Sequence, residues 1–453
     1  MADRPAQLTV EELRRQVEAG AVDTVVVALT DMQGRLQGKR LHAAYFLDVV
    51  LQHATEGCNY LLAVDVDMNT VEGYAMSSWS SGYGDFVLQP DLSTLRPLPW
   101  QEGSVSVLAD LQWEDGSDVV ASPRQILARQ RARLAEAGMT AYVGTELEFV
   151  LFRDTYEQAW NAGYRNLTPA NQYNVDYSLL DTAGIEPLLR RIRNAMTGAG
   201  LTVESAKGEC NLGQHEIAFL YDEAGVTCDN HVIFKNGAKE IAAQEGYSLT
   251  FMAKYNEREG NSCHIHCSFR GADGELVMAD GPEMSALGRS FVAGQIRYMR
   301  ELTLLLAPNI NSYKRYVEGS FAPTALRWGR DNRTCAFRLV GHGSSLRLEN
   351  RIPGGDVNPY LATAAVIAAG LAGVQEELEL EPAFVGNAYG DGDAARVPTG
   401  LAEAADLWRS SDFARRVFGD DVVDHYANAA AVELKAFGSA VTDWERVRGF
   451  ERL

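Results

Sequence analysis

The stretch Gly260 to Phe269, Gly-Asn-Ser-Cys-His-Ile-His-Cys-Ser-Phe, constrains this chain more than any other segment of comparable length. Its two histidines stand two residues apart among residues that suit an extended strand. In a strand, successive side chains alternate between faces. His264, His266 and Ser268 then share one face, and Cys263, Ile265 and Cys267 share the other. Imidazoles and thiols diverge, so a mixed His/Cys zinc site is not built here. Alone, the stretch reads as a buried strand with two hydrogen-bonded histidines. Three other strands change that reading.

The function classes are bounded first by charge. With 61 acidic against 41 basic residues the net charge is −20, which argues against a nucleic-acid partner. A length of 453 residues allows two domains or one oversized one. Six cysteines without regular spacing read as reduced thiols. The opening Met1-Ala2-Asp3-Arg4-Pro5 lacks the apolar core of a signal peptide. The longest apolar run, Leu361 to Gly373, is too short to span a bilayer. A cytoplasmic protein without a membrane partner is expected.

Along the chain, Thr9 and Glu12 form a capping box at the head of a first helix. Val22 to Leu29 reads as a strand, Asp31 to Gly34 as a turn, and Lys39 to Leu41 as the start of a return strand. The Gly34…Gly38-Lys39 spacing is not a phosphate-binding loop: it is one residue short, and Arg40 stands where Ser or Thr is needed. Tyr60 to Val66 reads as another strand, and Trp79 to Asp85 as a Gly/Ser-rich loop. Little helix is expected before Val120. Ser122-Pro123 is a helix start, and the composition shift there divides the chain into domains at 1–120 and 121–453. Helices are expected over Pro187–Ala199, Phe234–Gln244, Met284–Leu306 and Tyr360–Leu378. The tail from Asp406 reads as helical and amphipathic.

The chemistry lies in four strands. Tyr142 to Leu151 puts Glu146 and Glu148 on one face, with Leu147, Phe149 and Leu151 opposite. Two carboxylates on an otherwise apolar strand are costly to bury unless a cation compensates them. The segment Glu209 to Phe219 adds Glu209 and Glu216, with Gly213 permitting a bend. Arg347, Glu349 and Arg351 share a face in a third strand. With His264, this makes five glutamates and one imidazole, a donor set for Mg²⁺ or Mn²⁺, and too many carboxylates for one ion. Two divalent ions beside several arginines, Arg333 and Arg338 included, describe phosphoryl transfer from a nucleotide. One such strand is explained by a salt-bridge network; four together are not.

These residues resemble the glutamine synthetase family over nearly the whole chain. Thr30-Asp31-Met32-Gln33-Gly34-Arg35 with Gly38-Lys39-Arg40 is similar to its N-terminal β-grasp hairpin. Gly144 to Phe149, Gly213 to Ile217, Cys263 to His266, Asn311 to Arg315 and Arg347 to Arg351 are similar to its catalytic segments, in order. The resemblance implies an α+β fold: a small β-grasp domain, then a catalytic domain whose antiparallel sheet forms a half-barrel with surrounding helices. It implies ring-shaped self-association, a dodecamer, with active sites between subunits. By position, Glu148, Glu209 and Glu216 would hold a first metal, and Glu146, His264 and Glu349 a second. Lys207, His266, Arg333, Arg338 and Arg347 would contact ATP. Gly260, Arg315 and Arg351 would hold glutamate. Asp65 or Asp67 would handle the amine, and with Arg333 these are the catalytic candidates.

Departures from the family pattern narrow the activity. Phe321, in Ser320-Phe321-Ala322-Pro323, stands where glutamine synthetases carry a flap glutamate that helps deprotonate ammonium. Lys207-Gly208 replaces a histidine pair before Glu209, and Glu259 replaces an asparagine before Gly260. The resemblance is closest to relatives that glutamylate polyamines or ethanolamine. It implies an ATP-dependent ligase joining the glutamate γ-carboxyl to an organic amine through a γ-glutamyl phosphate. A true glutamine synthetase and a non-catalytic family member are the alternatives.

Overall fold

The computed structural model describes residues 8–453; the opening Met1 to Pro5 lies outside them. The first sheet is built from β1 (Thr24–Thr30), β2 (Leu36–His42), β3 (Thr55–Cys58), β4 (Asp85–Pro90), β5 (Arg96–Pro97) and β6 (Ser104–Gln112). Its order is β2-β1-β6-β4-β3, with β5 also on β6; β1 runs antiparallel to β2 and parallel to β6. The capping box of Thr9 and Glu12 is formed at the helix Val10–Glu18.

Two expectations in this region are corrected. Tyr60–Val66 is not a strand: β3 ends at Cys58, and Asn59–Leu62 is a 3-10 turn. Side-chain hydrogen bonds hold the irregular path there. Asn59 Oδ1 accepts from Ser77 Oγ at 2.6 Å, and Asp65 accepts from the Asn69 amide at 2.8 Å. More helix is present than expected, over Ala43–His53. Its middle, Phe46–Val50, is wound as a π-helix, with Phe46, Leu47 and Val50 buried.

The second sheet carries the chemistry. Its strands are β7 (Met139–Phe152), β8 (Val203–Gly208), β9 (Gln214–Phe219), β10 (Asp222–Glu223), β11 (Ser248–Thr250) and β12 (Cys263–Gly271). A hairpin outside it, β13 (Ala279–Asp280) and β14 (Glu283–Met284), precedes its last strands, β15 (Trp328–Arg330), β16 (Phe337–Val340) and β17 (Arg347–Asn350). The order is β15-β16-β17-β12-β7-β9-β8, with β10 and β11 also on β7. It curves as a half-barrel and is antiparallel except that β15 and β16 run parallel.

Helices pack behind this sheet. Pro123–Glu136 and Glu186–Gly198 fall where expected. The helix ending at Gln244 begins earlier than expected, at Ala224, because its first half is masked by Asp229, Asn230 and His231. The expected Met284–Leu306 helix is two pieces, Ala286–Tyr298 and Thr303–Leu306. Pro359–Gln375 is buried along most of its length, and Asn358 caps it. It touches Ala286–Tyr298 at backbone distance, since a Cβ on Gly294 would lie 2.2 Å from the Ala369 carbonyl oxygen. Four helices from Leu401 to Gly449 complete the chain. No helix among the described residues is long and apolar enough to cross a membrane.

Arg124 joins the parts. It lies 2.7 Å from Asp110 on β6, 2.6 Å from Asp91 after β4, and 2.9 Å from Asp229 in the helix Ala224–Gln244.

Candidate active site

Strand register assembles two clusters. On β7, Glu148 is the partner of Glu216 on β9, and Glu216 is the partner of Lys207 on β8. Gly213 bends the chain into β9 with a φ of +72°, and a Cβ there would meet the Leu151 carbonyl oxygen at 2.5 Å. The bend brings Glu209 back, so that carboxylate oxygens of Glu148, Glu209 and Glu216 all lie within 4.8 Å of one another. Glu148 also accepts from the Ser262 amide at 2.7 Å and from Gln214 Nε2 at 3.1 Å. Burial, then the charge of Glu209, pushes Glu148 up to about 8. Burial and Glu146 push Glu216 up as well.

The second cluster lies one step along the same face. Glu146 on β7 is the partner of His264 on β12, and His266 is the partner of Glu349 on β17. His264 Nδ1 lies 3.1 Å from Glu146 and 3.3 Å from Glu349. His266 Nε2 lies 2.9 Å from Glu146, while its Nδ1 accepts from Arg347 Nε at 3.2 Å, which sets the Nε2–H tautomer. Glu349 is further paired with Arg338 at 2.9 Å and with Arg351. Burial raises both carboxyls here, but cationic and imidazole neighbours outweigh it and hold Glu146 and Glu349 low. Burial, then Arg351, lowers His264 to about 4.

The donor chemistry suits divalent cations. Burial and the neighbouring carboxylates oppose ionisation of Glu148 and Glu216, a cost that a dication relieves. In the second cluster, ligand atoms of Glu146, His266 and Glu349 converge within 4.8 Å, and His264 Nε2 is buried without a partner. His266, expected at a phosphate, thus stands among the converging donors.

Beside Glu146 opens a cavity of about 440 Å³, lined among others by Tyr142, Tyr221, His266, Arg270 and Arg347. Arg270 stacks over the Tyr142 ring at 5.1 Å. A neighbouring cavity of about 400 Å³ adds Arg330, Asp331 and Arg338 around Glu146 and His266. Tyr142, Tyr221 and Arg270 were absent from the expected site. The signal for Arg270 was in the strand, since alternation from His264, His266 and Ser268 reaches it next. Tyr142 likewise precedes Glu146 and Glu148 on one face of β7.

None of the remaining expected residues lines either of these cavities. Arg351 is buried beside Glu349, with its Nε unpartnered, and donates to the Phe321 carbonyl oxygen at 3.3 Å. Arg315 is buried and donates to the carbonyl oxygens of Ile352 at 2.8 Å and Arg351 at 3.0 Å. Gly260 packs on it, with room for no Cβ: one would lie 2.5 Å from Arg315 Cγ. Phe321 has a φ of +59° and is 55% exposed. Arg333 is exposed on the turn before β16. Lys207 lines neither large cavity; its ammonium group pairs with Glu209. Asp65 and Asp67 are not brought to the clusters within one chain. Asp65 sits in a turn with Asn69 and lines a separate small cavity with Glu433. Asp67 is exposed on the same turn.

The description "Glutamine synthetase, catalytic domain" matches residues 120–448. The chain belongs to the glutamine synthetase family. Gamma-glutamylethanolamide synthetase GlnA4 of Streptomyces coelicolor is 68% identical over 453 residues, covering 100% of this chain and 98% of that protein. Glutamate–isopropylamine ligase of a Pseudomonas species is 37% identical over 445 residues, covering 96% of this chain and 97% of that protein. Among solved structures, an ADP complex of GmaS aligns with a TM-score of 0.85 at 26% identity, covering 97% of this chain and 99% of that chain. Glutamine synthetase family enzymes use ATP and divalent metal ions, and the two clusters supply donors of the required kind. The family's half-barrel explains why the donors lie on neighbouring strands of one sheet.

Proposed function

We propose that the chain is an ATP-dependent ligase that joins the γ-carboxyl group of glutamate to a small organic amine of the ethanolamine class. The observation that carries this reading is the side-by-side placement of the two donor clusters, linked along β7 by Glu146 and Glu148, at the mouth of an arginine-lined cavity. The 68% identity to a gamma-glutamylethanolamide synthetase supports the choice of amine.

In this reading Glu148, Glu209 and Glu216 hold one divalent ion, and Glu146, Glu349 and an imidazole of His264 or His266 hold another. When bound, Mg²⁺ or Mn²⁺ ions supply positive charge against the nucleotide phosphates. ATP lies in the cavity walled by Tyr142, Tyr221 and Arg270, and Arg333, Arg338 and Arg347 face its phosphates. Arg351 holds the glutamate carboxylate through its unpartnered Nε, while Arg315 and Gly260 fix the backbone around it. The γ-carboxylate oxygen attacks the γ-phosphorus, ADP leaves, and an acyl phosphate forms. The neutral amine attacks the carbonyl carbon, phosphate leaves, and the amine's extra proton passes to a carboxylate. Asp65 or Asp67 is that carboxylate, reaching the site from a neighbouring subunit. As the family resemblance implies, the enzyme then works in rings, a dodecamer, with an N-terminal unit of residues 1–120 set against the catalytic unit of its neighbour. Exposed Trp444, Val447 and Phe450 on the last helix, and six free cysteines, support assembly and a cytoplasmic setting.

The test is product formation from ATP, glutamate and a panel of amines, with each amide identified by mass. Ethanolamine should be used far better than ammonia at equal free-base concentration. Glutamine formed as readily as any other amide would favour a true glutamine synthetase instead.

A further inference from the structure

Lys207 stands on β8 opposite Glu216 in the antiparallel register with β9. Its ammonium group pairs with Glu209 and lies 5.0 Å from the centre of the Tyr177 ring. Glu209 is one of the three carboxylates that converge with Glu148 and Glu216. One ammonium group is therefore tethered inside a cluster of three carboxyl groups. The lysine does not fill the core, since its side chain is 26% exposed. Its flexible stem gives it two resting places, a carboxylate and an aromatic face.

We propose that Lys207 is a tethered counter-ion that competes with the divalent metal ion for Glu209. It pairs with Glu209 when the ion is absent and withdraws toward the face of Tyr177 when the ion enters. This rests on the reading that Glu148, Glu209 and Glu216 hold a divalent ion. The argument is one of competition at a single carboxylate. An ammonium group brings one charge and point-like donors, whereas a divalent ion brings two charges and binds several oxygens at once. The ion wins, but it must first break the Lys207–Glu209 pair, so its affinity is lower than three unpaired carboxylates would give. The same pair keeps the metal-free cluster from repelling itself apart. Because Tyr177 is already in reach, the exchange needs only rotations about side-chain bonds. Lys207 is thus a positioning residue for metal exchange rather than a phosphate contact.

The experiment is calorimetric titration of Mn²⁺ alone into the metal-free full-length protein, as wild type, Lys207→Gln and Lys207→Arg. One class of Mn²⁺ site should tighten about fivefold or more in Lys207→Gln and return to within about twofold of wild type in Lys207→Arg. ATP affinity measured without metal should not change. A second measurement needs no variant. Reductive methylation of wild-type lysines, read by mass spectrometry, should label Lys207 faster once Mn²⁺ is added. Equal or weaker Mn²⁺ affinity in Lys207→Gln, or Lys207 labelling that stays constant or slows with Mn²⁺, overturns the proposal. A wild type that binds no Mn²⁺ overturns the metal reading of the carboxylates as well, so the two failures are told apart.

Discussion

Glu146 and His264 are register partners across the β7–β12 ladder, with His264 Nδ1 3.1 Å from Glu146 and 3.3 Å from Glu349. The imidazole is wedged between carboxylates from the two strands that flank its own. Two residues along β7, Glu148 belongs to a cluster whose ion pair among the described residues is that of Lys207 with Glu209. One cluster is therefore rich in cations and the other poor, and the two should respond in opposite ways to loss of a carboxylate.

In metal-free protein, Glu349→Gln leaves Arg338 and Arg351 without their shared partner. The loss of stability should be on the order of 3–5 kcal/mol. Glu216→Gln replaces a buried carboxyl whose ionisation its neighbours oppose, and should leave stability unchanged or raise it. Denaturant unfolding in excess chelator measures both. An equal loss in the two variants contradicts the assignment of charge. The same chelator should abolish turnover by the wild type, and added Mg²⁺ or Mn²⁺ should restore it.

Arg351→Ala should separate the two substrates. The side chain is buried, and its Nε is free to meet a carboxylate. Glutamate affinity should fall by on the order of 2–5 kcal/mol, with ATP affinity nearly intact. Calorimetry with each ligand alone decides it, and the reverse pattern would place Arg351 at the nucleotide.

Phe321→Glu tests amine choice. The residue is half exposed, and its carbonyl oxygen already accepts from Arg351, so a carboxylate there would sit beside the reacting groups. The ratio of kcat/KM for ammonia to that for ethanolamine should rise in the variant, with a lower total rate. An unchanged ratio would show that amine choice is made elsewhere.

His425 gives a pH prediction away from the site. Burial lowers it to about 4, and it packs against Tyr74 and Met32. A histidine held neutral in the fold binds its proton more readily once unfolded. Its contribution is present above the unfolded value near 6.5 and is lost as pH falls through about 4. The loss over that window should be about 3 kcal/mol. His425→Gln should flatten the fall of stability between pH 6.5 and 4, whatever it does at pH 7. A slope as steep as in the wild type would refute the assignment.

The clusters were legible in the sequence because they follow a period of two. Alternation alone sorted Glu146 with Glu148 and His264 with His266, and the structure keeps both pairings. What escaped was set by contacts between distant segments. Nothing in the local pattern near Lys207 says that its ammonium group meets Glu209 rather than a nucleotide. Tyr60 to Val66 looked like a strand because its residues are mostly apolar, yet Asp65 closes a turn on the Asn69 amide and Asn59 pairs with the distant Ser77. The helix Ala224–Gln244 was half hidden because Asp229 is buried for the sake of Arg124 and Tyr360, not for its own propensity. Nor does the local pattern near Asp65 and Asp67 say that the turn they share lies away from both clusters within one chain.

Arg124 has a mechanical meaning. Three aspartates from β6, the turn after β4 and the helix Ala224–Gln244 are tied to one guanidinium, so these parts cannot hinge against each other without parting a charge from its partners. The frame behind the second sheet is therefore stiff. Tyr177 and Phe321, whose side chains stand exposed, belong to segments that these three ion pairs do not hold. The half-barrel's donors therefore stand on a floor braced from behind, and what freedom the chain has is left to the loops above it.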